Sequence, residues 1–233
     1  MELTLKDASR LLNAAESEIR KWIRDNGLPA MRVQGRLRFN RTELLEWATA
    51  AGMPVSPEFP AGRPGSGEGL ATVAEALRTG GIFYDVPGDS MESAMAEAVK
   101  RIRLPDGVDR DFLLQMLLAR ETLGSTAMGN GVAIPHPRTP IVLPVDRPEI
   151  ALLFLKKPVD FSAIDQKPVS VVFILLSPTV RKHIRLLSRL AFLLHQPGMK
   201  KMLRERPSEE KILLEVEKLE KSFPASLHGE DAP

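Results

Sequence analysis

At 233 residues the chain has room for one ordinary domain plus a small one, or for a single large domain. Apolar residues make up 43% and charged residues 27%, which excludes wholesale disorder. With 32 basic against 30 acidic residues no global polycation exists, and the absence of cysteine excludes a disulfide framework, a thiol nucleophile and thiolate-bound metal. The longest purely apolar runs, Ile150–Leu155 and Val171–Leu176, are far short of the ~20 residues of a membrane helix. The sequence does not open on a basic stretch followed by an apolar one, so we expect no signal peptide, no membrane insertion and a cytoplasmic protein.

The first elements are short. Thr4 and Asp7 have the spacing of a capping box, and Leu5, Ala8, Leu11 and Leu12 make one apolar helical face. A second helix carries Ile19, Trp22 and Ile23, stops at Asn26-Gly27 and is kept from restarting by Pro29. Met31 to Phe39 alternates on both sides of Gln34-Gly35. Read continuously, that alternation puts Met31, Val33, Leu37 and Phe39 on one face and Arg32, Arg36 and Arg38 on the other. A third helix is expected after Asn40 as cap, with Glu43 three residues on and Leu44, Leu45 and Trp47 buried. Helix, turn, helix, basic hairpin, helix is the order of a winged helix-turn-helix.

Charge is concentrated in this segment: between Arg20 and Arg41 there are seven basic residues and one acid, Asp25. Leu5-Lys-Asp-Ala-Ser-Arg-Leu-Leu12, Glu18-Ile-Arg-Lys-Trp-Ile23, Gly27-Leu-Pro-Ala30 and Arg36-Leu-Arg-Phe39 resemble the excisionase-type relatives of the MerR DNA-binding family. The resemblance covers nearly all of residues 1–52. It implies a second helix in the major groove, with Ser17, Arg20, Lys21 and Arg24 toward bases, and a hairpin whose Arg32, Arg36 and Arg38 meet phosphates. Ala15 departs from the Ser or Thr cap usual there, at a cost of ~1 kcal/mol. The competing reading is a solvated basic face on a module that docks another protein.

Residues 53–69 hold Pro54, Pro57, Pro60 and Pro64 with Gly62, Gly65, Gly67 and Gly69 and no sustained periodicity, so they read as a linker. The larger segment, residues 70–222, interleaves a strand over Ile82–Val86, helices over Asp89–Arg103 and Asp109–Glu121, near-continuous apolar strands over Ile150–Leu155 and Val169–Leu176, and helices over Val180–His195 and Ser208–Lys221. That pattern predicts an α/β domain, a sheet covered by helices. Residues 223–233 read as a tail.

The chemistry lies in Ala119-Arg-Glu-Thr-Leu-Gly-Ser-Thr-Ala-Met-Gly-Asn-Gly-Val-Ala-Ile-Pro-His-Pro-Arg138. Gly124 and Gly129 have the spacing of a P-loop, but Asn130-Gly131 replaces its Lys-Ser/Thr pair, and Ile134 replaces the third glycine of a dinucleotide fingerprint. What is left is a flexible loop with exposed N–H groups and hydroxyls, ending on His136 between two prolines. Such an arrangement suits a phosphoryl carrier: a neutral imidazole is nucleophilic near pH 7 and is also a competent leaving group. Arg120 supplies charge for the phosphoryl oxygens, and the loop Gly124, Ser125, Thr126, Gly129 and Gly131 supplies donors. No cofactor or metal site is expected.

Arg120-Glu121, Gly124-Ser-Thr126 and Gly129-Asn-Gly-Val-Ala-Ile-Pro-His136 resemble the signature of the fructose/mannitol and nitrogen-regulatory enzyme IIA domain of the bacterial phosphotransferase system. The likeness runs from about Leu70 to Lys221 and includes Lys182-His-Ile-Arg-Leu-Leu-Ser-Arg-Leu-Ala191. It implies a mixed sheet flanked by helices, the enzyme IIA type 2 fold. It also implies that His136 is phosphorylated by an HPr-like carrier protein, that Arg120 faces the phosphoryl group, and that His183 is the second histidine beside it. Pro137 stands where many members have glycine. His195 and His228 have no such context.

Three functions follow. In the first, a phosphorylation-responsive regulator joins the IIA-type domain to DNA. In the second, a sugar-transport component passes phosphate to a separate IIB protein. In the third, a DNA-binding protein keeps the IIA-like part as a non-catalytic scaffold. Because the family's IIB site is a cysteine, no such acceptor lies within this cysteine-free chain. A transport role leaves the first fifty residues unexplained, and the intact signature disfavours the scaffold. The regulator is the expectation, with the carrier protein, DNA and a downstream protein as partners. A homodimer is compatible with it.

Overall fold

The computed structural model describes residues 2–33, 35–40, 43–44, 47–48, 71–137 and 145–223. The predicted linker, Arg41, Leu45, Arg138, His228 and the tail beyond Phe223 lie outside them. The chain divides into two compact units, the first within residues 1–64 and the second Gly65–Phe223.

In the first unit, β1 (Glu2–Thr4) leads into α1 (Leu5–Leu11), and α2 spans Glu16–Asp25. The predicted capping box forms: Thr4 Oγ1 accepts from the Asp7 amide at 3.2 Å, and Asp7 Oδ2 accepts from the Thr4 amide at 3.0 Å. Bonding to the Thr4 hydroxyl, and then to its amide, holds the Asp7 carboxyl below the usual carboxylate value. Ala15 gives α2 no side-chain cap, but Glu18 accepts from the Ala15 amide at 2.8 Å. Gly27, at φ +67°, turns the chain away after Asn26.

β2 (Met31–Val33) and β3 (Arg36–Asn40) form the wing, and β1 adds a third strand in the order β1-β3-β2. The register corrects the predicted faces. Met31 pairs with Arg38, Arg32 with Leu37 and Val33 with Arg36. Cross-strand partners share a face, and the turn between 33 and 36 shifts the parity by one. Arg36 and Arg38 therefore share their face with Met31, which is 42% exposed, and Leu37 lies on the opposite face with the buried Phe39; the side chain of Arg32 is outside what the structure describes. Residues 43, 44, 47 and 48 are helical, as expected of the third helix. Leu44 and Ala48 are buried, and Trp47 donates from Nε1 to the Asn26 carbonyl at 2.9 Å while its ring lies 5.5 Å from that of Trp22.

The second unit has a five-stranded mixed sheet in the order β4-β7-β8-β6-β5: β4 (Ile82–Val86), β5 (Ala127–Gly129), β6 (Val132–Ala133), β7 (Glu149–Val159) and β8 (Val169–Leu176). β7 is parallel to β4 and antiparallel to β8, and β8 is parallel to β6. Helices cover both faces: α3 (Val73–Gly80), α4 (Met91–Arg101), α5 (Arg110–Glu121), α6 (Val180–His195), α7 (Pro197–Glu205) and α8 (Glu209–Glu220). Ala151, Leu153 and Leu155 of β7 and Val172, Ile174 and Leu176 of β8 pack with Met95, Ala98, Leu113 and Leu117 of α4 and α5. The alternate residues Ile150, Leu152, Phe154, Val171, Phe173 and Leu175 are buried on the opposite face. Burial on both sides explains why these strands read as apolar runs.

The predicted spans of β4, β8 and α6 agree with the structure. The predicted cap Asp89 does not. Ser90 caps α4, its Oγ accepting from the Ser93 amide at 3.1 Å while Ser93 Oγ accepts from the Ser90 amide, and Asp89 instead faces Lys157. Two short helices, α3 and α7, add to the elements expected from the sequence.

α3 is held from a distance. The carboxylate of Glu220, in α8, accepts from the amides of Val73 at 2.7 Å and Ala74 at 3.2 Å. Arg189 of α6 donates to the Ala71 carbonyl at 3.1 Å and lies over the Phe223 ring. Burial pushes the Glu220 carboxyl up, against the lowering effect of those two amides and of Arg189. Glu220→Ala would leave two helix-start amides uncapped and remove an anion that stabilises buried Arg189. We expect a loss of about 2–3 kcal/mol in denaturant unfolding. A loss below about 0.5 kcal/mol would show that the carboxylate contributes nothing to the fold.

Candidate functional site

The site is assembled at one end of the β6–β8 pair. α5 ends at Glu121, a buried carboxylate to which the sequence signature assigned no role. Its two oxygens accept from the Thr126 amide at 2.9 Å and the Thr126 hydroxyl at 2.7 Å, closing the 122–125 turn. Arg120 donates from Nη1 to the Gly124 carbonyl at 2.9 Å and so braces the same turn.

The stretch expected to be a flexible loop is instead a β-hairpin. β5 and β6 are joined by Asn130 and Gly131, at φ +54° and +77°. Two consecutive left-handed residues make the tight turn that an Asn-Gly pair favours. The predicted hydroxyl donors are also engaged. Ser125 donates to the Phe161 carbonyl and Thr126 to Glu121, so neither has a hydroxyl hydrogen left for a phosphate.

The β7–β8 loop clamps the hairpin: Asp165 accepts from the Asn130 amide at 2.8 Å and from the Lys167 amide at 3.2 Å. The Asn130 bond above all holds the Asp165 carboxyl below the usual carboxylate value. Since the folded value is depressed, the stabilisation is complete above the unfolded value of about 3.9 and is lost as pH falls through the folded one. Asp165→Asn should therefore remove part of the acid limb of the melting profile. Superimposable acid limbs in the two proteins would refute the clamp.

Beyond β6 the chain runs beside β8, the Pro135 carbonyl accepting from the Leu175 amide at 3.1 Å. This delivers His136, only 3% exposed. Its Nδ1 lies 2.7 Å from the Ile134 carbonyl. A carbonyl only accepts, so Nδ1 carries the proton and Nε2 carries the lone pair. The His136 ring centroid is 5.1 Å from that of His183. His183 is buried in the first turn of α6, where Thr179 Oγ1 caps the Lys182 amide and the helix has no acidic residue. A helix start flanked by Arg181 and Lys182 favours an anion. The structure thus brings His136 and His183 together, and places Arg120, Gly124, Ser125, Thr126, Gly129 and Gly131 on the helix end and hairpin that lead to them. His195 is elsewhere, its Nδ1 bonded to the Ala191 carbonyl at 2.7 Å.

Residues 75–218 match the family model "Phosphoenolpyruvate-dependent sugar phosphotransferase system, EIIA 2". The chain belongs to this EIIA type 2 family. Residues 2–52 match a helix-turn-helix domain model. The EIIA unit is 35% identical to the nitrogen regulatory protein of Pseudomonas aeruginosa over 145 residues, which are 60% of this chain and 92% of that protein. It is 36% identical over 98 residues to the fructose-specific EIIA component of Haloferax volcanii, 41% of this chain and 62% of that protein. The crystal structure of the nitrogen regulatory protein IIA-Ntr from Neisseria meningitidis matches with a TM-score of 0.54 at 32% identity, over 62% of this chain and 98% of that one. Among the described residues no helix is long and apolar enough to cross a membrane, and no group of three or more His, Asp or Glu side chains is placed to hold a metal.

In the first unit Ser17, Arg20, Lys21 and Arg24 are exposed on α2 and Arg36 is exposed on the wing. Arg38 is half-buried and donates to its neighbour's carbonyl, that of Leu37, at 3.3 Å.

Proposed function

We propose that the chain is a phosphorylation-responsive regulator. In this reading His136 accepts a phosphoryl group from an HPr-like carrier protein, and the helix-turn-helix unit binds DNA. The observation that carries the first half is the Nδ1–H bond of His136 to the Ile134 carbonyl, which leaves Nε2 as the nucleophile. The Nε2 lone pair forms a bond to phosphorus as the donor's N–P bond breaks, and that electron pair stays on the donor nitrogen. His136 keeps its Nδ1 proton and becomes a phosphoimidazolium. When the group is passed on, the ring leaves as neutral imidazole rather than imidazolate, so transfer needs no further proton movement.

Leu123 and Ile164, 65% and 71% exposed, adjoin the hairpin through Gly124 and Asp165, which gives a protein donor apolar surface to dock on. Incubation with phosphoenolpyruvate, enzyme I and an HPr-type carrier should add the mass of one phosphoryl group. An unchanged mass would refute the reading.

DNA binding rests on the exposed basic residues of α2 and the wing. If several meet phosphates, affinity falls steeply with salt, and replacing Arg36 and Arg38 together should reduce the slope of log affinity against log salt by up to ~2. An unchanged slope would assign the module to a protein partner. The likeness to a fructose-specific component supports one second reading, transfer to a separate IIB protein, and a purified IIB protein that takes the phosphoryl group would establish it.

A further inference from the structure

Of the hydroxyls around the candidate site, Ser125 and Thr126 have given their hydrogens to protein acceptors. Ser177 has not. It is 1% exposed, and its Oγ has no hydrogen-bond partner among the described residues. A buried hydroxyl without a partner costs stability and calls for an explanation.

The fold brings the segment that carries Ser177 to the histidines. Val172, Ile174 and Leu176 of β8 point into the α4–α5 layer, so Leu175, and Ser177 after it, belong to the opposite face. That face carries α6 and His183. Before Ser177, the Leu175 amide holds the carbonyl of Pro135, the residue preceding His136. After it, Thr179 caps the helix whose first turn bears His183, 5.1 Å from His136. The chain from 175 to 183 therefore has both ends fixed against His136, with Ser177 between them.

We propose that the Ser177 hydroxyl donates a hydrogen bond to a phosphoryl oxygen on His136. The proposal rests on the phosphoryl-acceptor reading above. In the unmodified protein the hydroxyl has no acceptor among the described residues. Transfer brings an anionic oxygen to it, so the bond is made only in the phosphorylated state and holds that state together. No bond to Ser177 forms or breaks other than this hydrogen bond, and the nucleophile stays Nε2 of His136.

Three proteins, wild type, Ser177→Ala and Ser177→Thr, test it by thermal melting and by phosphorylation with phosphoenolpyruvate, enzyme I and an HPr-type carrier. Ser177→Ala should melt at or above the wild-type temperature, because it removes an unsatisfied polar atom. Its phosphohistidine should hydrolyse about ten-fold faster, the loss of one hydrogen bond to a charged group. Its phosphorus NMR resonance should move. Ser177→Thr, which keeps the hydroxyl, should recover most of the lifetime. If Ser177→Ala melts clearly lower, the hydroxyl already has a structural partner and the proposal fails. Equal lifetimes and resonances in wild type and Ser177→Ala would also overturn it, with His136 still the acceptor. A wild type that takes no phosphoryl group would instead bring down the underlying reading, and this proposal with it.

Discussion

His136→Ala should accept no phosphoryl group while keeping its fold. The substitution removes the Nε2 nucleophile and, with it, the bond from Nδ1 to the Ile134 carbonyl. Losing that bond and a buried ring costs about 2–3 kcal/mol. The 133–137 segment keeps its backbone bonds from Ile134 to Thr126 and from Leu175 to Pro135. A folded protein without a nucleophile is the result, to be read by intact mass beside a melting curve. His195→Ala is the control, because the His195 Nδ1 bonds back to its own helix at Ala191. His183→Ala should still accept the group, more slowly, since it removes a neighbour of the nucleophile and leaves the nucleophile in place. Acid-labile phosphate persisting on folded His136→Ala protein would place the acceptor elsewhere.

The second large effect concerns the fold. Alanine normally stabilises a helical position occupied by glycine by up to about 1 kcal/mol. At Gly80 the sign should reverse. A Cβ there would lie 2.3 Å from the Ile150 carbonyl oxygen and 2.4 Å from its carbon. These are backbone atoms of β7, which is held between β4 and β8 and cannot step aside. α3 must lift from the sheet, losing the burial of Val73, Ala76 and Leu77. We expect Gly80→Ala to cost about 3 kcal/mol, a fall of roughly 6–12 °C in Tm. An unchanged or raised melting temperature would mean that α3 is not seated on β7 as described.

The elements with the strongest periodicity were legible in the sequence. β8 and α6 could be bounded to the residue because a doubly covered strand is uniformly apolar and a long helix repeats its apolar face. The wing was legible as a hairpin but not in its facing, because alternation counted through a two-residue turn changes parity. The hairpin before His136 carries its own signal, Gly129-Asn-Gly131. Glycine-rich spacing resembles that of a nucleotide-binding loop, but Asn-Gly here forms a left-handed turn. Glu121 and Asp165 could not be assigned from local pattern. Each acts on backbone amides brought near by the fold, and one of these, that of Asn130, is 35 positions from its acceptor. The pairing of His136 with His183 has no periodic signal at all. It entered through family resemblance, and the 5.1 Å ring separation gives it a physical basis.

The bond from Glu220 to Val73 also sets an order of events during synthesis. Its partners are 147 positions apart, so α3 has no distal cap until nearly the whole second unit has left the ribosome. At 5–20 residues per second that interval is on the order of ten seconds. The helix-turn-helix unit faces no such delay, since its β1–β3 pairing joins Leu3 to Phe39. The strands of the first unit can therefore pair while the rest of the chain is still being made. A nascent chain cut short before residue 220 lacks the carboxylate that holds the start of α3.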